Sequence, residues 1–205
     1  MSHMVCLGMG YSALALSLRL REAGWTVFGT SQTAAGVARL DSLGFDAGVL
    51  DGPALDSRTA DALASATHIL VSIPPLADGD PILQHHRIAV AKSPAQWGGY
   101  LSTVGVYGDH GGAWVDEDTP VNPGSDRARR RVAAEQEWLS FGRETGKPVH
   151  VFRLAGIYGP GRSAMDTVRK GTAHRIVKPG QVFNRIHVED IATVLQASIA
   201  QPRAG

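Results

Sequence analysis

The stretch Met4-Val5-Cys6-Leu7-Gly8-Met9-Gly10-Tyr11-Ser12-Ala13-Leu14-Ala15-Leu16-Ser17-Leu18-Arg19-Leu20 decides how the rest of the chain is read. An apolar run of strand length meets two glycines one residue apart. After them Ala13, Leu16 and Leu20, with Leu14 and Leu18, recur at helical spacing. The glycines therefore punctuate a strand-to-helix turn. Gly8 can take backbone angles closed to other residues, and Gly10 lets a ligand approach the main chain closely. Ala13 stands where the third small residue of G-x-G-x-x-G/A lets helix and strand pack tightly. The unpaired N–H groups at the helix start, over Tyr11, Ser12 and Ala13, face outward as an anion site suited to a pyrophosphate. A plain tight turn is the alternative; the position between a strand and a helix favours the dinucleotide site.

Working outward, 205 residues give room for one large domain or a domain with an appendage. Twenty basic and 19 acidic residues nearly cancel, which implies neither a nucleic-acid surface nor a funnel for acidic substrates. The basic cluster Arg127 to Arg131 has no interleaved aromatics. The single cysteine, Cys6, lies inside the first apolar run, so no intramolecular disulfide forms and a reducing compartment is expected. No window is long enough for a membrane span. The expectation is a soluble, cytoplasmic protein with a small-molecule substrate and no nucleic-acid or membrane partner.

Strand-like runs follow at 25–29, 45–50, 68–73, 100–104 and 147–153. Helical spacing fills 34–43, 56–66, 82–92 and 125–145. Each strand is apolar on both faces, which means a parallel sheet covered on two sides. The expected fold is α/β and doubly wound. Beyond Arg153 the pattern loosens into a glycine-rich loop at 156–161, a short helix at 165–170, a short strand near Ile176-Val177-Lys178 and a turn at Pro179-Gly180. A final helix runs from Ile191 to Ala200, with Asp190 as its ready N-cap.

At the end of the second strand stand Thr30-Ser31-Gln32. An NAD site usually holds an acid here for the ribose 2′-hydroxyl, and none is present. Two hydroxyls suit a 2′-phosphate, so NADP is favoured over NAD, although Arg39, the nearest arginine, lies a helix away. Thr30 and Ser31 serve equally as caps of the next helix. Asp51 suits an adenine amino group as an acceptor, or simply forms a turn before Gly-Pro.

Leu101-Ser102-Thr103-Val104-Gly105-Val106-Tyr107-Gly108 is joined by Arg153-Leu154-Ala155-Gly156-Ile157-Tyr158-Gly159-Pro160-Gly161 and Ile186-His187-Val188-Glu189-Asp190-Ile191-Ala192. In this order, after the glycine turn, they resemble the extended short-chain dehydrogenase/reductases, the group of nucleotide-sugar epimerases and dehydratases. The resemblance covers essentially the whole chain. It implies a Rossmann-type dinucleotide-binding domain over 1–155 and a partial substrate-binding region over 156–205, interleaved with the last sheet elements. It also implies that Ile73, Pro74 and Pro75 lie beside the cofactor and that Thr103 is the family hydroxyl. Tyr158, Gly159 and the loop to Gly161 would lie near the nicotinamide, with His187 close by.

The chain departs from that pattern where the family carries a Tyr and a Lys four residues apart at the start of the long helix. Aligning 123–135 on the end of that motif puts Arg127 at the Tyr and Arg131 at the Lys. The spacing keeps both on one helix face. A guanidinium stays charged at any working pH, so Arg127 is no general acid or base, and loss of that role typically removes ~10²–10⁴-fold in rate. Arg131 remains able to bond the ribose. Tyr107, Tyr158 and His187 are the substitute proton carriers to consider, each with packing as the plainer role. The loop bearing Asp109, His110, Asp116, Glu117 and Asp118 fits no metal spacing, and His85-His86 read as surface residues. Extended members continue past the helix that begins near Ile191, so a fragment or a minimal substrate part is expected, with self-pairing into a homodimer as one consequence. Two functions follow: an NAD(P)-dependent epimerase, dehydratase or reductase of atypical kind, or a dinucleotide-dependent sensor that has lost turnover.

Overall fold

The computed structural model describes residues 2–175, 177 and 179–205. Its main sheet contains β1 (His3–Leu7), β2 (Thr26–Ser31), β3 (Asp46–Val49), β4 (His68–Val71), β5 (Trp97–Thr103) and β6 (Val149–Leu154). All neighbours pair in parallel, in the order β3-β2-β1-β4-β5-β6. This is the Rossmann-type, doubly wound arrangement, with its switch point between β1 and β4.

The strands bury both faces because their side chains alternate. Val5, Leu7, Ile69, Val71 and Tyr100 point into one core, where α3 (Ser57–Ser65), α4 (Pro81–His85), α5 (Arg87–Lys92) and α6 (Asp126–Thr145) supply Leu63, Ile82, Val90 and Trp138. Met4, Cys6, Leu70, Trp97 and Leu101 point into the other. There α1 (Tyr11–Glu22), α2 (Ala34–Ser42) and α8 (Val188–Ala200) supply Leu16, Leu40 and Leu195. Cys6 is fully buried, and that burial pushes its thiol up to about 12, so it packs as an apolar group.

Several elements differ from the sequence reading, each for a local reason. The strand expected from Tyr100 begins at Trp97 and includes Gly98 and Gly99. Gly99 leaves room for an indole, since a Cβ on it would lie 2.3 Å from the Trp97 ring. At the other end Val104 leaves the strand for a single 3-10 turn, Val104–Val106. The helix expected over 82–92 is two helices broken at His86, whose φ of −123° is not helical. The first of them starts at Asp80-Pro81, a side-chain cap followed by proline at the first helical position.

The glycine loop at 156–161 contains β7 (Gly156–Tyr158), which pairs in parallel with β8 (Arg185–His187) in a second sheet. Near it lies α7 (Ala164–Arg169), opened by a Ser163/Asp166 capping box. The expected strand near Ile176-Val177-Lys178 rests on Ile176 and Lys178, which lie outside the described residues. The last helix begins at Val188 rather than Ile191: His187, not Asp190, is its cap, with Nδ1 accepting from the Glu189 N–H at 3.3 Å. Asp190 sits instead in the first turn, where its charge suits the helix dipole. Among the described residues no helix is long and apolar enough to cross a membrane.

Candidate functional site

The turn after β1 is held from both neighbouring strands. Gly8 has φ +85°, and its N–H donates to Thr30 Oγ1 at 2.8 Å. Its carbonyl accepts from the Ser72 hydroxyl at the end of β4. Met9 N–H donates to Thr30 O at 2.8 Å. A Cβ on Gly8 would lie 2.7 Å from Ile73 Cγ1, so conformation and space both require glycine here. Gly10 differs: it is exposed, and a Cβ there would meet nothing within 4 Å. It is the N-cap of α1 and supplies no side-chain cap, and the first turn of that helix carries no acid. The amides of Tyr11, Ser12 and Ala13 therefore keep their positive end free for an anion.

From this turn a cleft of about 470 Å³ runs along the carboxyl edge of the sheet. Of the residues expected at a dinucleotide, Gly8, Gly10, Thr30, Ser31, Gln32, Asp51, Ile73 and Pro74 line it together. Pro75 stands outside the lining, and Ser12 and Ala13 are buried, so they offer backbone only. Thr30 is 1% exposed, and its hydroxyl, besides accepting from Gly8, donates to Cys6 O at 3.4 Å. That hydroxyl is engaged in holding the turn. Ser31 lies against Gly36 in the first turn of α2, where a Cβ would meet its Oγ at 1.9 Å. Gln32 Nε2 donates to Asp51 Oδ1 at 3.4 Å.

The Tyr11 side chain leaves the cleft and reaches across to the 156–161 segment. Its hydroxyl donates to Pro160 O at 3.0 Å, and the Arg162 guanidinium lies 5.6 Å from its ring centre. Gly159 fits beneath, because a Cβ there would fall 2.5 Å from Tyr11 Oη and 3.3 Å from His187 Nε2. Tyr158 and His187 meet edge to face at 5.0 Å. Tyr158, Gly159 and His187 thus lie together, and the segment is tied to the first residue of α1.

The three residues proposed for catalysis stand apart from the cleft lining. Thr103 ends β5, and its Oγ1 accepts from Gly105 N–H at 3.1 Å, capping the 3-10 turn. Tyr107 is buried, and its Oη accepts from Arg153 Nη1 at 2.9 Å. Arg131 Nη1 donates to Tyr100 Oη at 2.9 Å and to Leu101 O at 3.0 Å. Tyr100 is fully buried, and this burial holds its phenol well above the ordinary range despite the cation. Arg127 is exposed, and among the described residues its guanidinium has no hydrogen bond.

Sequence reasoning missed the groups that hold these side chains. Glu135 is 3% exposed, pairs with Arg153 at 2.9 Å and accepts from the Ser102 hydroxyl. Nothing in hydropathy marks a helical glutamate as buried. The two histidines read as surface residues also line the cleft, and His86 is buried. Burial holds its imidazole below the ordinary value, with the neighbouring His85 adding to the shift and a bond to Gly52 opposing it. Among the described residues no cluster of His, Cys, Asp or Glu is arranged to hold a metal.

The sequence pattern of the NAD-dependent epimerase/dehydratase family matches residues 96–205, more than half of the chain. The chain belongs to that family. In this family member the glycine turn precedes the matched stretch, yet the two share one sheet. A functionally unknown conserved protein from Silicibacter pomeroyi has 44% identical sequence and a TM-score of 0.88, over all of this chain and 70% of its own. Protein YeeZ of Escherichia coli K12 is 28% identical over 223 aligned positions, covering all of this chain and 76% of its own length. UDP-glucuronic acid 4-epimerase from Bacillus cereus, solved with UDP-glucuronic acid and NAD, has a TM-score of 0.78 at 16% identity over 98% of this chain and 74% of that one. At that identity the likeness is one of fold.

Proposed function

We propose that this protein binds a nicotinamide dinucleotide in the cleft between β1 and β4 and acts on a hydroxyl- or carbonyl-bearing substrate of nucleotide-sugar-like class. The observation that carries the reading is Gly10: its surroundings are open, the amides behind it are uncapped, and its neighbour Gly8 is locked from two strands. These residues fit a diphosphate. When bound, the nicotinamide supplies hydride transfer, and the protein supplies position and electrostatics.

On this chain Arg127 and Arg131 occupy the places of the phenol and ammonium that the family resemblance implies. Neither exchanges a proton at working pH. A phenol beside a cation does occur elsewhere, at Tyr107 and Arg153, where the Tyr107 hydroxyl accepts from the guanidinium and keeps its own hydrogen free to donate. NADP suits the cleft better than NAD, since Thr30-Ser31-Gln32 carries no acid and the one lining carboxylate, Asp51, faces Gln32. A second reading, a dinucleotide-dependent sensor without turnover, draws support from Arg127 and Arg131, neither of which exchanges a proton at working pH.

Titrating NADPH and NADH by fluorescence, followed by turnover assays against sugar nucleotides and small carbonyls, separates the readings. Turnover that falls with Thr103→Ala supports the enzyme. Binding without turnover supports the sensor, and absence of binding removes both.

A further inference from the structure

We propose that His85 and His86 build the purine-binding end of the cleft, His86 by fixing the turn after β3 and His85 by presenting its ring to the base. The inference rests on the dinucleotide reading above. The diphosphate belongs at Gly8–Gly10 and the ribose at the β2 tip, so the base extends toward the β3 tip and α4, where the cleft ends.

At that end Leu50, Ile73, Pro74 and Ile82 supply apolar lining, and Asp51 and Gly52 stand with them after β3. A flat heteroaromatic is apolar on its faces and polar on its edge, and such a mixed lining suits it. The wall formed by α4 is pinned at both ends. At its start the buried Asp80 accepts from Ile82 N–H at 3.0 Å, Leu83 N–H at 3.1 Å and Trp138 Nε1 at 3.0 Å, which ties α4 to α6. At its end the helix breaks at His86, which turns inward, and Nε2 lies 3.1 Å from Gly52 O. A carbonyl can only accept, so Nε2 carries the hydrogen. The Gly52 turn has φ +88° and no side chain of its own to brace it.

His85 is exposed, lies beside His86 with ring centres 6.0 Å apart, and faces the same cleft. An aromatic ring against a base contributes enough that its loss weakens binding about fivefold or more. His86 touches the turn rather than the base, so it is a positioning residue.

The test is isothermal titration of the full chain with ADP-ribose, using His85→Ala, His86→Ala and His86→Gln, with thermal melts as a folding control. His86→Ala is expected to weaken ADP-ribose about fivefold, and His86→Gln, whose amide can donate to Gly52 O, to return to within about twofold of wild type. His85→Ala, at an exposed position, is expected to melt as wild type does and to bind about fivefold more weakly. If His86→Ala fails to fold, His85→Ala decides the matter alone. Unchanged affinity in His85→Ala, or a His86→Gln variant as weak as His86→Ala, overturns the proposal while leaving the cofactor reading intact. A wild-type protein that binds no ADP-ribose overturns both.

Discussion

Replacing Thr30 by valine tests whether one hydroxyl organises the glycine turn. Valine keeps the shape of threonine and its preference for strands. The change removes the acceptor for Gly8 N–H at 2.8 Å and the donor to Cys6 O at 3.4 Å, at a side chain 1% exposed. A buried donor left without a partner costs about 1–3 kcal/mol. In a chain of this size each kcal/mol moves the midpoint by about 2–4 °C, so Thr30→Val is expected to melt roughly 2–12 °C lower. Because Gly8 aims the amides that follow, ADP-ribose affinity is expected to fall about five- to tenfold as well. Thr30→Ser keeps the hydroxyl and loses a methyl, so it should recover binding to within about twofold, with part of the stability still missing. Differential scanning calorimetry and isothermal titration on the three proteins read both quantities. A Thr30→Val protein with the wild-type midpoint and affinity would refute the reasoning, as would a serine variant that binds no better than valine.

Other expectations follow from the same contacts. Glu135→Ala leaves Arg153 facing the interior without its 2.9 Å partner and is expected to destabilise by about 3–5 kcal/mol in urea unfolding, more than Glu135→Gln. Burial raises the Asp80 carboxyl above the ordinary range, so the folded protein holds that proton more tightly than the unfolded chain. Its contribution to stability is therefore greatest in acid and declines as pH climbs from the ordinary carboxylate range through the raised value; Asp80→Asn should remove this slope from melts across that window. Tyr11→Phe deletes the bond to Pro160 O and should cost about 0.5–1.5 kcal/mol or less at this half-exposed site. Its clearer sign is faster amide exchange at 159–162, and unchanged exchange there would count against the tie.

The sheet was legible because Met4 and Cys6 against Val5 and Leu7 alternate between two apolar cores, a pattern that only a sheet covered on both faces satisfies. Gly8 and Gly10 were legible as well, since a turn that needs a positive φ and an open approach admits few other residues. What escaped was tertiary. Gly98 and Gly99 look like a break until the Trp97 ring is laid against Gly99. His86 ends a helix for a carbonyl 34 residues away, and periodicity carries no trace of so distant a partner. β7 and β8 are three residues each and stabilise one another across a long gap, too short for an alternation to show. Asp190 has the better capping side chain, yet the pairing of β8 fixes the chain at His187 and the helix starts at once. Thr103 and Tyr107 were found by motif. Their partners, the Gly105 amide and Arg153, turn them toward the protein in a way that no motif encodes.

Gly10→Ala gives the most direct test of the cleft as a dinucleotide site. The position has no neighbour within 4 Å and a negative φ of −85°, so the methyl should cost no more than about 1 kcal/mol in stability, the ordinary difference at an N-cap. The same methyl projects into the space assigned to the diphosphate. The expected result of titrating NADPH into both proteins is tight binding to wild type and at least about tenfold weaker binding to Gly10→Ala, with nearly equal melting points. Equal affinity in the two proteins, or no binding to either, would contradict the account.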